Sequence, residues 1–439
     1  MGEGSGLDDI MNDMARFRDR RMRVLTALGE RAVMVLIAGP ELRVGRDTEL
    51  RYAPDADFHY LTGMVEPEAV LVLGAAVENG PCALFVRERD PERELWTGEL
   101  AGPERARERT GADSAYPLRE LTERLPMMIA GADLLYARLD APHIDGMPSI
   151  ARLVAAGKRR RARHGTGVHT VAEPGLLLDE MRLRKDEHEI GRIRNAARIS
   201  VAAFEKARGA IRDGAGEWEI EAALEGTFRA LGGDGPAFPT IVGSGPNATV
   251  LHYIANNRRM RSGELVLLDA GARADMYCAD ISRTYAVGDV ADEVHAMHDV
   301  VRNAHDRAIA AARPGARIGD VHDAAREVLA EGLVTLGLMK PGREGEEWSD
   351  ALRRYYPHQT SHWLGLDVHD VGDYVVNGES RVLEPGMVFT VEPGLYVGAL
   401  DPDAPRALRG VGVRIEDSVL VVQDGVEVLT PAPNLAVPQ

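Results

Sequence analysis

Five side chains in the C-terminal half of the chain are of the types that bind divalent cations. Asp269 stands in the string VLLDAG and Asp280 in YCADISRT, while His362 stands in SHWLGLDVHD, Glu392 in TVEPG and Glu416 in VRIED. Four carboxylates and one imidazole suit hard divalent cations, including two cations that share bridging carboxylates. Such a pair of ions activates water and stabilises the oxygens of a hydrolytic transition state. The set predicts a metallohydrolase.

The two aspartates lie on segments that are predicted to pair with each other. Residues 264–269 (ELVLLD) form an apolar run, and residues 277–287 (YCADISRTYAV) are rich in β-branched and aromatic side chains, so both read as strands. The short connection between them favours a hairpin. A regular hairpin that turns at Ala274 and Asp275 would place the two aspartates directly opposite each other.

Opposed carboxylates in a buried site repel each other unless a cation lies between them. A divalent cation would therefore explain the predicted aspartate pair. The structural alternative is that one aspartate pairs with Arg283 in the core and the other occupies a turn. A second alternative adds the thiolate of Cys278, two residues before Asp280, as a soft ligand; otherwise this cysteine packs behind the site.

Three imidazoles stand within twelve residues, at His358, His362 and His369. On a helix, the first two would share one face, as zinc-binding pairs do, but Pro357 and Gly365 argue against a long helix there. A single histidine is more often a structural residue than a ligand. Three of them beside a tryptophan favour a site.

The two glutamates follow strand-like segments. Glu392 ends the apolar run MVFTV and precedes Pro-Gly, which predicts a strand that enters a turn. In GVGVRIEDSVLVV, alternation puts Glu416 on one face with Arg414 and Ser418. Glutamates at strand ends are commonly mere surface residues. Each string is weak alone, and the ordered set is a strong signal.

With these strings in this order, the chain resembles the pita-bread metallopeptidases of family M24, and among them the Xaa-Pro aminopeptidase (aminopeptidase P) family. The resemblance also covers RYAPDADFHYLTGMVEPEAVLVL, LLDEMRLRKDEHEI, TIVGSGPNATVLHY and EPGMVFTVEPGLY. It implies an α/β N-terminal domain of the creatinase/aminopeptidase P type. It also implies an α+β pita-bread (creatinase/aminopeptidase-like) catalytic domain at the C-terminus.

The resemblance implies that Asp269, Asp280, His362, Glu392 and Glu416 bind two divalent metal ions, which are manganese in this family. Asp280 and Glu416 would bridge the ions. A hydroxide that bridges them would attack the carbonyl of the Xaa-Pro bond. Glu392 would act both as a ligand and as a proton shuttle.

The resemblance also assigns residues that contact the substrate. His252 and His369 would steady the scissile peptide and its tetrahedral intermediate, where such donors contribute most. Trp96 resembles a tryptophan that reaches a neighbouring subunit's active site in tetrameric enzymes. Relatives often have tyrosine where Phe238 stands, which puts one hydroxyl contact in doubt. The proline pocket would be lined by three more side chains: His358, Tyr396 and Arg414.

The predicted function is hydrolysis of the N-terminal Xaa-Pro bond of peptides by a dinuclear-metal exopeptidase. An Xaa-Pro bond is a tertiary amide without an N–H, so enzymes that grip an extended backbone handle it poorly. One alternative is an Xaa-Pro dipeptidase (prolidase), which an arginine clamping the dipeptide carboxylate would favour. Another is a catalytically inactive pita-bread binding module. Ligand loss would mark such a module, but all five ligand positions are filled.

Composition limits the classes of partner. A formal net charge of −17 argues against a nucleic-acid binder, and the basic run Lys158–Arg163 reads as a solvated linker or interface edge. Two cysteines, Cys82 and Cys278, indicate reduced thiols in the cytoplasm rather than a disulfide framework. No signal peptide or membrane span is evident. The resemblance implies a homo-oligomer, either a tetramer or a dimer.

The elements that must position these residues fall into two domains, as 439 residues favour. In the first domain, RAVMVLIAG, EAVLVLGAAV and CALFVRER read as strands and ERARERTGA as a helix. A Gly/Pro-rich stretch places the boundary at residue 175, giving domains 1–175 and 176–439. Two helix-rich stretches of the second domain, 186–231 and 291–338, are each followed by strands that carry the candidate ligands.

Overall fold

The computed structural model describes residues 4–75, 77, 79–341 and 346–432. The chain divides into two compact units, Met1–Glu180 and Met181–Gln439. The division falls within the helix Gly175–Leu183, at whose first residue the sequence predicts the domain boundary. None of the described helices is long and apolar enough to cross a membrane.

The N-terminal unit is built on a six-stranded mixed sheet in the order β6-β5-β4-β1-β7-β8. Its central strands carry unbroken runs of buried residues such as AVMVL and VLVL, as expected for strands that are covered on both faces. The three strands and the helix predicted from sequence are confirmed. The elements are β1 Ala32–Ile37, β2 Arg43–Val44, β3 Thr48–Glu49, β4 Val70–Leu73, β5 Cys82–Val86, β6 Ser114–Pro117, β7 Leu134–Tyr136 and β8 Thr170–Ala172, with α1 Gly4–Leu28, α2 Ala56–Thr62, α3 Pro91–Thr97, α4 Gly102–Thr110, α5 Leu121–Met128, α6 Ile150–His164 and α7 Gly175–Leu183.

The basic run Lys158–Arg163 forms the exposed C-terminal turns of α6, so it is part of a helix and not a linker. Ser149 caps the start of this helix by accepting a hydrogen bond from the backbone of Arg152. Cations in the last turns complement the negative end of the helix dipole.

The C-terminal unit contains two helix pairs, each followed by strands, as the sequence predicts. Helices α10 and α11 cover one core, in which Met297, Val301, Leu329 and Leu333 are buried. The elements are α8 Glu187–Arg208, α9 Glu217–Ala230, α10 Asp292–Ala311, α11 Ile318–Thr335 and α12 Glu346–Tyr355, with β9 Gly235–Pro236, β10 Ile241–Ser244, β11 Glu264–Ala270, β12 Ala272–Ala274, β13 Tyr277–Cys278, β14 Ile281–Val287, β15 Val375–Val376, β16 Glu379–Ser380, β17 Val388–Val391, β18 Gly394–Val397, β19 Val411–Arg414, β20 Asp417–Val422 and β21 Gly425–Val428.

The predicted hairpin exists, but its predicted register is wrong. The turn lies at Asp275 and Met276, whose φ angles of 49° and 72° are left-handed, as in the turns that suit tight hairpins. Asp269 therefore lies opposite Ser282 and not opposite Asp280. The predicted register is therefore wrong by two residues.

Two segments that read as continuous strands are broken beside a carboxylate. The segment 277–287 is interrupted at Asp280, because β13 pairs with β12 whereas β14 pairs with β11. The segment 411–422 is interrupted at Glu416, because β19 pairs with β18 whereas β20 pairs with β17. An isolated bridge between Ser282 and Glu416 joins the two breaks. Each carboxylate thus lies where the chain passes from one sheet to another.

Gly271 allows the hairpin to close, and its substitution is expected to destabilise the fold. A Cβ atom there would lie 1.6 Å from the carbonyl oxygen of Ala279. We expect Gly271→Ala to lower the free energy of unfolding by ~1–3 kcal/mol or more through overpacking. Thermal unfolding followed by circular dichroism measures the change.

The matched control is Gly191→Ala in helix α8, where the added methyl group meets nothing within 4 Å. Alanine there should raise the stability by ~0.5–1 kcal/mol, because it removes the entropic cost of glycine in a helix. Equal melting temperatures for Gly271→Ala and the unmodified protein would contradict the close approach.

Candidate active site

The predicted ligands converge in the C-terminal unit. Asp280, His362 and Glu416 each offer a ligand atom, and these atoms all lie within 4.8 Å of one another. His362 Nε2 is 3.5 Å from Asp280 Oδ2 and 3.6 Å from Glu392 Oε1. Asp269 lines the same cavity as these four side chains. The structure thus brings all five predicted ligands to one site.

Backbone hydrogen bonds hold the segments that carry these side chains. The Thr390 N–H donates to the His362 carbonyl, and the Glu392 N–H donates to the Thr360 carbonyl. These bonds tie the irregular segment around His362 to β17. The Glu416 N–H donates to the Ser282 carbonyl in the same way. The prediction that no long helix forms around the three imidazoles is confirmed, since this segment is neither helix nor strand.

Asp269, Asp280 and Glu416 are buried and Glu392 is half-buried, and the four carboxylates repel one another. Burial, followed by the negative charges of Asp269 and Glu392, raises the pKa of Asp280 well above its ordinary value. Burial and the charge of Asp280 do the same for the pKa of Glu416. Burial and the charge of Asp269 outweigh His362 and Arg414 and raise the pKa of Glu392.

Two unpartnered carboxylate oxygens indicate that the site needs a compensating cation. One carboxylate oxygen each of Asp269 and Asp280 is buried without a hydrogen-bond partner. Unpaired buried charge is costly unless a cation or a proton compensates it. Buried oxygen donors together with one imidazole suit divalent cations. The residues therefore fit the metal ions that the resemblance implies.

Arg414 is the cation that the chain itself supplies to the cluster. Its guanidinium is 3% exposed and donates to Asp269 Oδ2, to Ser282 Oγ and to the Tyr396 hydroxyl. The structural alternative, in which Arg283 pairs with one of the two aspartates, is wrong. The Arg283 side chain instead pairs with Asp417.

The three side chains predicted for the proline pocket form one hydrogen-bonded chain. Arg414 donates to the Tyr396 hydroxyl at 3.0 Å, and that hydroxyl donates to His358 Nε2 at 2.9 Å. His358 Nδ1 then donates to the Gln359 carbonyl at 2.8 Å. Burial and the charge of Arg414 lower the pKa of His358 to about 4, and burial raises the pKa of Tyr396 to about 12. Both groups are neutral at pH 7.

The site opens into a cavity of about 1080 Å³, whose lining includes His252 and His369. His369 packs edge-on against His362 with ring centroids 4.5 Å apart. Burial and the positive charge of His362 lower the pKa of His369. Phe238 also lines the cavity, at the position where relatives often have tyrosine. Apolar side chains complete the wall: Ile241, Leu251, Ile254, Ile318 and Val375.

Two predicted residues do not belong to this cluster. Trp96 lies on α3 of the N-terminal unit, and 85% of its surface is exposed. Cys278 is fully buried, and its thiol lies 3.5 Å from the Leu366 carbonyl, to which it donates. Burial raises the pKa of this thiol to about 12, and Cys278 is not among the described residues that line the cavity beside the candidate ligands.

The sequence reasoning missed His322 and the buried Asp370. His322 lines the cavity from α11 and bonds Thr360 Oγ1 at 2.8 Å. Asp370, directly after His369, forms a buried ion pair with Lys185 at 3.0 Å and a second with Arg182. Both contacts join segments that are far apart in the chain. No local spacing in the sequence signals them.

Metal loading is expected to stabilise the protein more at higher pH. The three raised pKa values mean that the metal-free folded state holds protons that the unfolded state loses above about pH 5. Stability of the metal-free protein therefore falls as pH rises towards those raised pKa values. A bound cation replaces the protons and removes this loss.

We expect Mn²⁺ to raise the melting temperature of dialysed protein by at least about 3 °C at pH 7.5 and by less at pH 5.5, given that binding at 100 Kd contributes ~2.7 kcal/mol. Differential scanning calorimetry measures the shift. The double variant Asp280→Asn/Glu416→Gln should show no shift at either pH. An equal shift in that variant would mean that the ion binds elsewhere.

Comparison with known proteins agrees with this site. Residues 191–423 match metallopeptidase family M24, and residues 17–136 match the aminopeptidase P N-terminal domain. Xaa-Pro aminopeptidase of Escherichia coli is 36% identical over 430 residues, which cover 96% of both chains. Xaa-Pro aminopeptidase 1 of Streptomyces coelicolor is 35% identical over 415 residues, covering 90% of this chain and 80% of that protein.

Solved structures agree as well. Aminopeptidase PepP of Pseudomonas aeruginosa superposes with a TM-score of 0.88 at 39% identity, covering 96% of each chain. Aminopeptidase P of Escherichia coli, solved with the inhibitor Pro-Leu, superposes with a TM-score of 0.87 at 35% identity, covering 95% of each chain. These matches confirm the predicted fold class, including the pita-bread fold, and the predicted class of hydrolase. The chain belongs to metallopeptidase family M24 and carries an aminopeptidase P N-terminal domain.

Proposed function

We propose that this protein is an Xaa-Pro aminopeptidase, which uses two divalent metal ions, Mn²⁺, to remove the N-terminal residue from peptides with proline in second position. The names of its relatives and the family of its catalytic domain support the reaction. The convergence of four carboxylates, three of them buried, and one imidazole at the wall of an apolar cavity is the observation that carries the proposal.

Asp269, Asp280, His362, Glu392 and Glu416 would hold the two ions. When bound, such ions activate a water molecule and polarise the scissile carbonyl. The unpartnered oxygens of the two aspartates support this assignment. So do the raised pKa values of Asp280, Glu392 and Glu416, which burial and neighbouring negative charge produce.

Glu392 is the residue that we assign to proton transfer. Its carboxylate lies 3.6 Å from His362 and 3.8 Å from His358, at the cavity wall. It would take a proton from the attacking water and deliver it to the proline nitrogen, which needs a proton to leave as an amine. Neutral His369 and exposed His252 would donate hydrogen bonds to the substrate carbonyl as negative charge develops there.

The cavity favours a peptide over a dipeptide as substrate. Among its described lining residues, Arg414 is the only arginine, and none is lysine. The Arg414 guanidinium is already committed to Asp269, Ser282 and Tyr396. A dipeptide would bring a free carboxylate into the cavity without a lysine or an uncommitted arginine among these lining residues to pair with it, at the cost of desolvating it. A longer peptide has an amide at that place.

The prolidase and binding-module readings remain the alternatives. The identity of the metal as manganese, the tetrameric or dimeric assembly and the cytoplasmic location stay predictions. The same holds for the approach of Trp96 to a neighbouring subunit's site.

Matched substrates test the proposal most directly. We expect the Mn²⁺-loaded protein to cleave an Xaa-Pro-Yaa tripeptide at the Xaa-Pro bond with kcat/KM at least about 10-fold above that for the Xaa-Pro dipeptide, since an unpaired buried carboxylate costs more than ~1.4 kcal/mol. Chromatography of the released amino acid measures both rates. Cleavage of the dipeptide alone would identify a prolidase, and inertness towards both would favour the binding module.

Substitution of Glu392 tests its assigned role. Glu392→Gln keeps the shape of the side chain but cannot carry the proton, so kcat should fall by roughly 10²–10⁴-fold. The control Glu384→Gln changes the same group at a surface ion pair with Arg184 and should keep full turnover. Steady-state kinetics on the tripeptide compare the two variants. Full activity of Glu392→Gln would exclude Glu392 from the mechanism.

A further inference from the structure

His252 faces the cavity from a segment that has little regular structure. After the short 3₁₀ turn Gly245–Thr249, the chain forms no helix or strand until β11 begins at Glu264. His252 itself is exposed. An imidazole on such a segment keeps its place only if something else fixes the backbone. A positioned donor is useful in catalysis only when its geometry is already set.

Glu217 supplies a fixed point behind this segment. It is the first residue of α9 and is fully buried. Its carboxylate accepts five hydrogen bonds, from Ser244 N, Ser244 Oγ, Asn247 Nδ2, Tyr253 Oη and Arg258 N, at distances between 2.7 and 3.1 Å. All five donors belong to the stretch 244–258, which contains His252.

The two oxygens hold different parts of the stretch. Oε1 accepts from Ser244 and Asn247, which precede His252. Oε2 accepts from Tyr253, the residue directly after His252, and from Arg258. The backbone N–H of Glu217 also donates to the Arg258 carbonyl at 2.9 Å. One side chain therefore fixes the backbone on both sides of the imidazole.

The surroundings favour a carboxylate at this position. The positive end of the α9 dipole stabilises a negative charge in the first turn. Arg258 lies against the same group: its guanidinium donates to Ser244 Oγ and forms an ion pair with Glu264. Since five donors converge, an amide would turn its own N–H₂ group towards some of them and leave buried groups unsatisfied.

We propose that Glu217 is a positioning residue that fixes stretch 244–258 and thereby holds the His252 imidazole where it can meet the substrate carbonyl. The catalytic part of this inference rests on the proposed function, in which His252 is a donor. The mechanical part, in which Glu217 fixes the backbone of stretch 244–258, does not rest on the proposed function. A displacement of about 1 Å in a catalytic group can cost ~10²-fold in rate.

Amide hydrogen exchange followed by mass spectrometry tests the mechanical part without any substrate. In Glu217→Gln, we expect peptides from 245–258 to exchange at least about 10-fold faster, since a lost network of buried bonds is worth more than ~1.4 kcal/mol. The rest of the chain should keep its protection. The control Glu221→Gln, one turn further along α9, should match the unmodified protein. Unchanged exchange at 245–258 in Glu217→Gln would overturn the inference.

Kinetics on the tripeptide test the catalytic part. Glu217→Gln should lower kcat by roughly 10–10²-fold and leave KM nearly unchanged. In a His252→Ala background the same substitution should have no further effect, because the imidazole that it positions is gone. Effects that multiply in the double variant would show that Glu217 does not act through His252.

A second variant and the exchange measurement cover the two cases in which these tests would fail. If Glu217→Gln does not fold, Tyr253→Phe removes a single donor of the same network and should show the same pattern with a smaller amplitude. If the unmodified protein cleaves no Xaa-Pro peptide, the proposed function fails. The exchange experiment then still decides whether Glu217 holds the stretch.

Discussion

The mutual repulsion of four clustered carboxylates, three of them buried, is the constraint on which the C-terminal unit depends. Arg414 supplies one guanidinium to the group, which leaves a net negative charge at the wall of the cavity. Protons and metal ions are the two kinds of cation that can balance it. They compete for the same carboxylate oxygens, so the protonation of the site and its binding of metal ions depend on each other.

The way in which the chain meets this constraint explains several features of the fold. Asp280 and Glu416 lie at breaks between short strands, so their carboxylates are not bound to the alternation of one continuous strand. His358 and Tyr396, which lie beside the charged groups, are neutral and are joined to each other by a hydrogen bond. The charges of Lys185 and Asp370, which is next to His369, compensate each other in a buried ion pair.

The sequence was sufficient to predict the helices and strands, but it was not sufficient to predict how the strands pair. Apolar runs identified β1, β4, β5 and β11, because buried strands carry such runs regardless of their neighbours. The register of the hairpin was wrong by two residues because Asp275 and Met276, neither of them glycine, adopt left-handed conformations at the turn. The five candidate ligands were named from their strings. His322, Asp370 and Glu217 act through partners far along the chain, which no local pattern encodes.

The bridge between Ser282 and Glu416 has a consequence for when the candidate site forms during synthesis of the chain. These residues are separated by 134 positions, and Ser282 also bonds the Glu416 carboxylate. Contacts over such separations form late, because a long loop must close before they contribute. A nascent chain that has already folded its N-terminal unit still lacks the complete set of candidate ligands, of which Glu416 is the last in the chain. The set is therefore complete only once the second unit has closed.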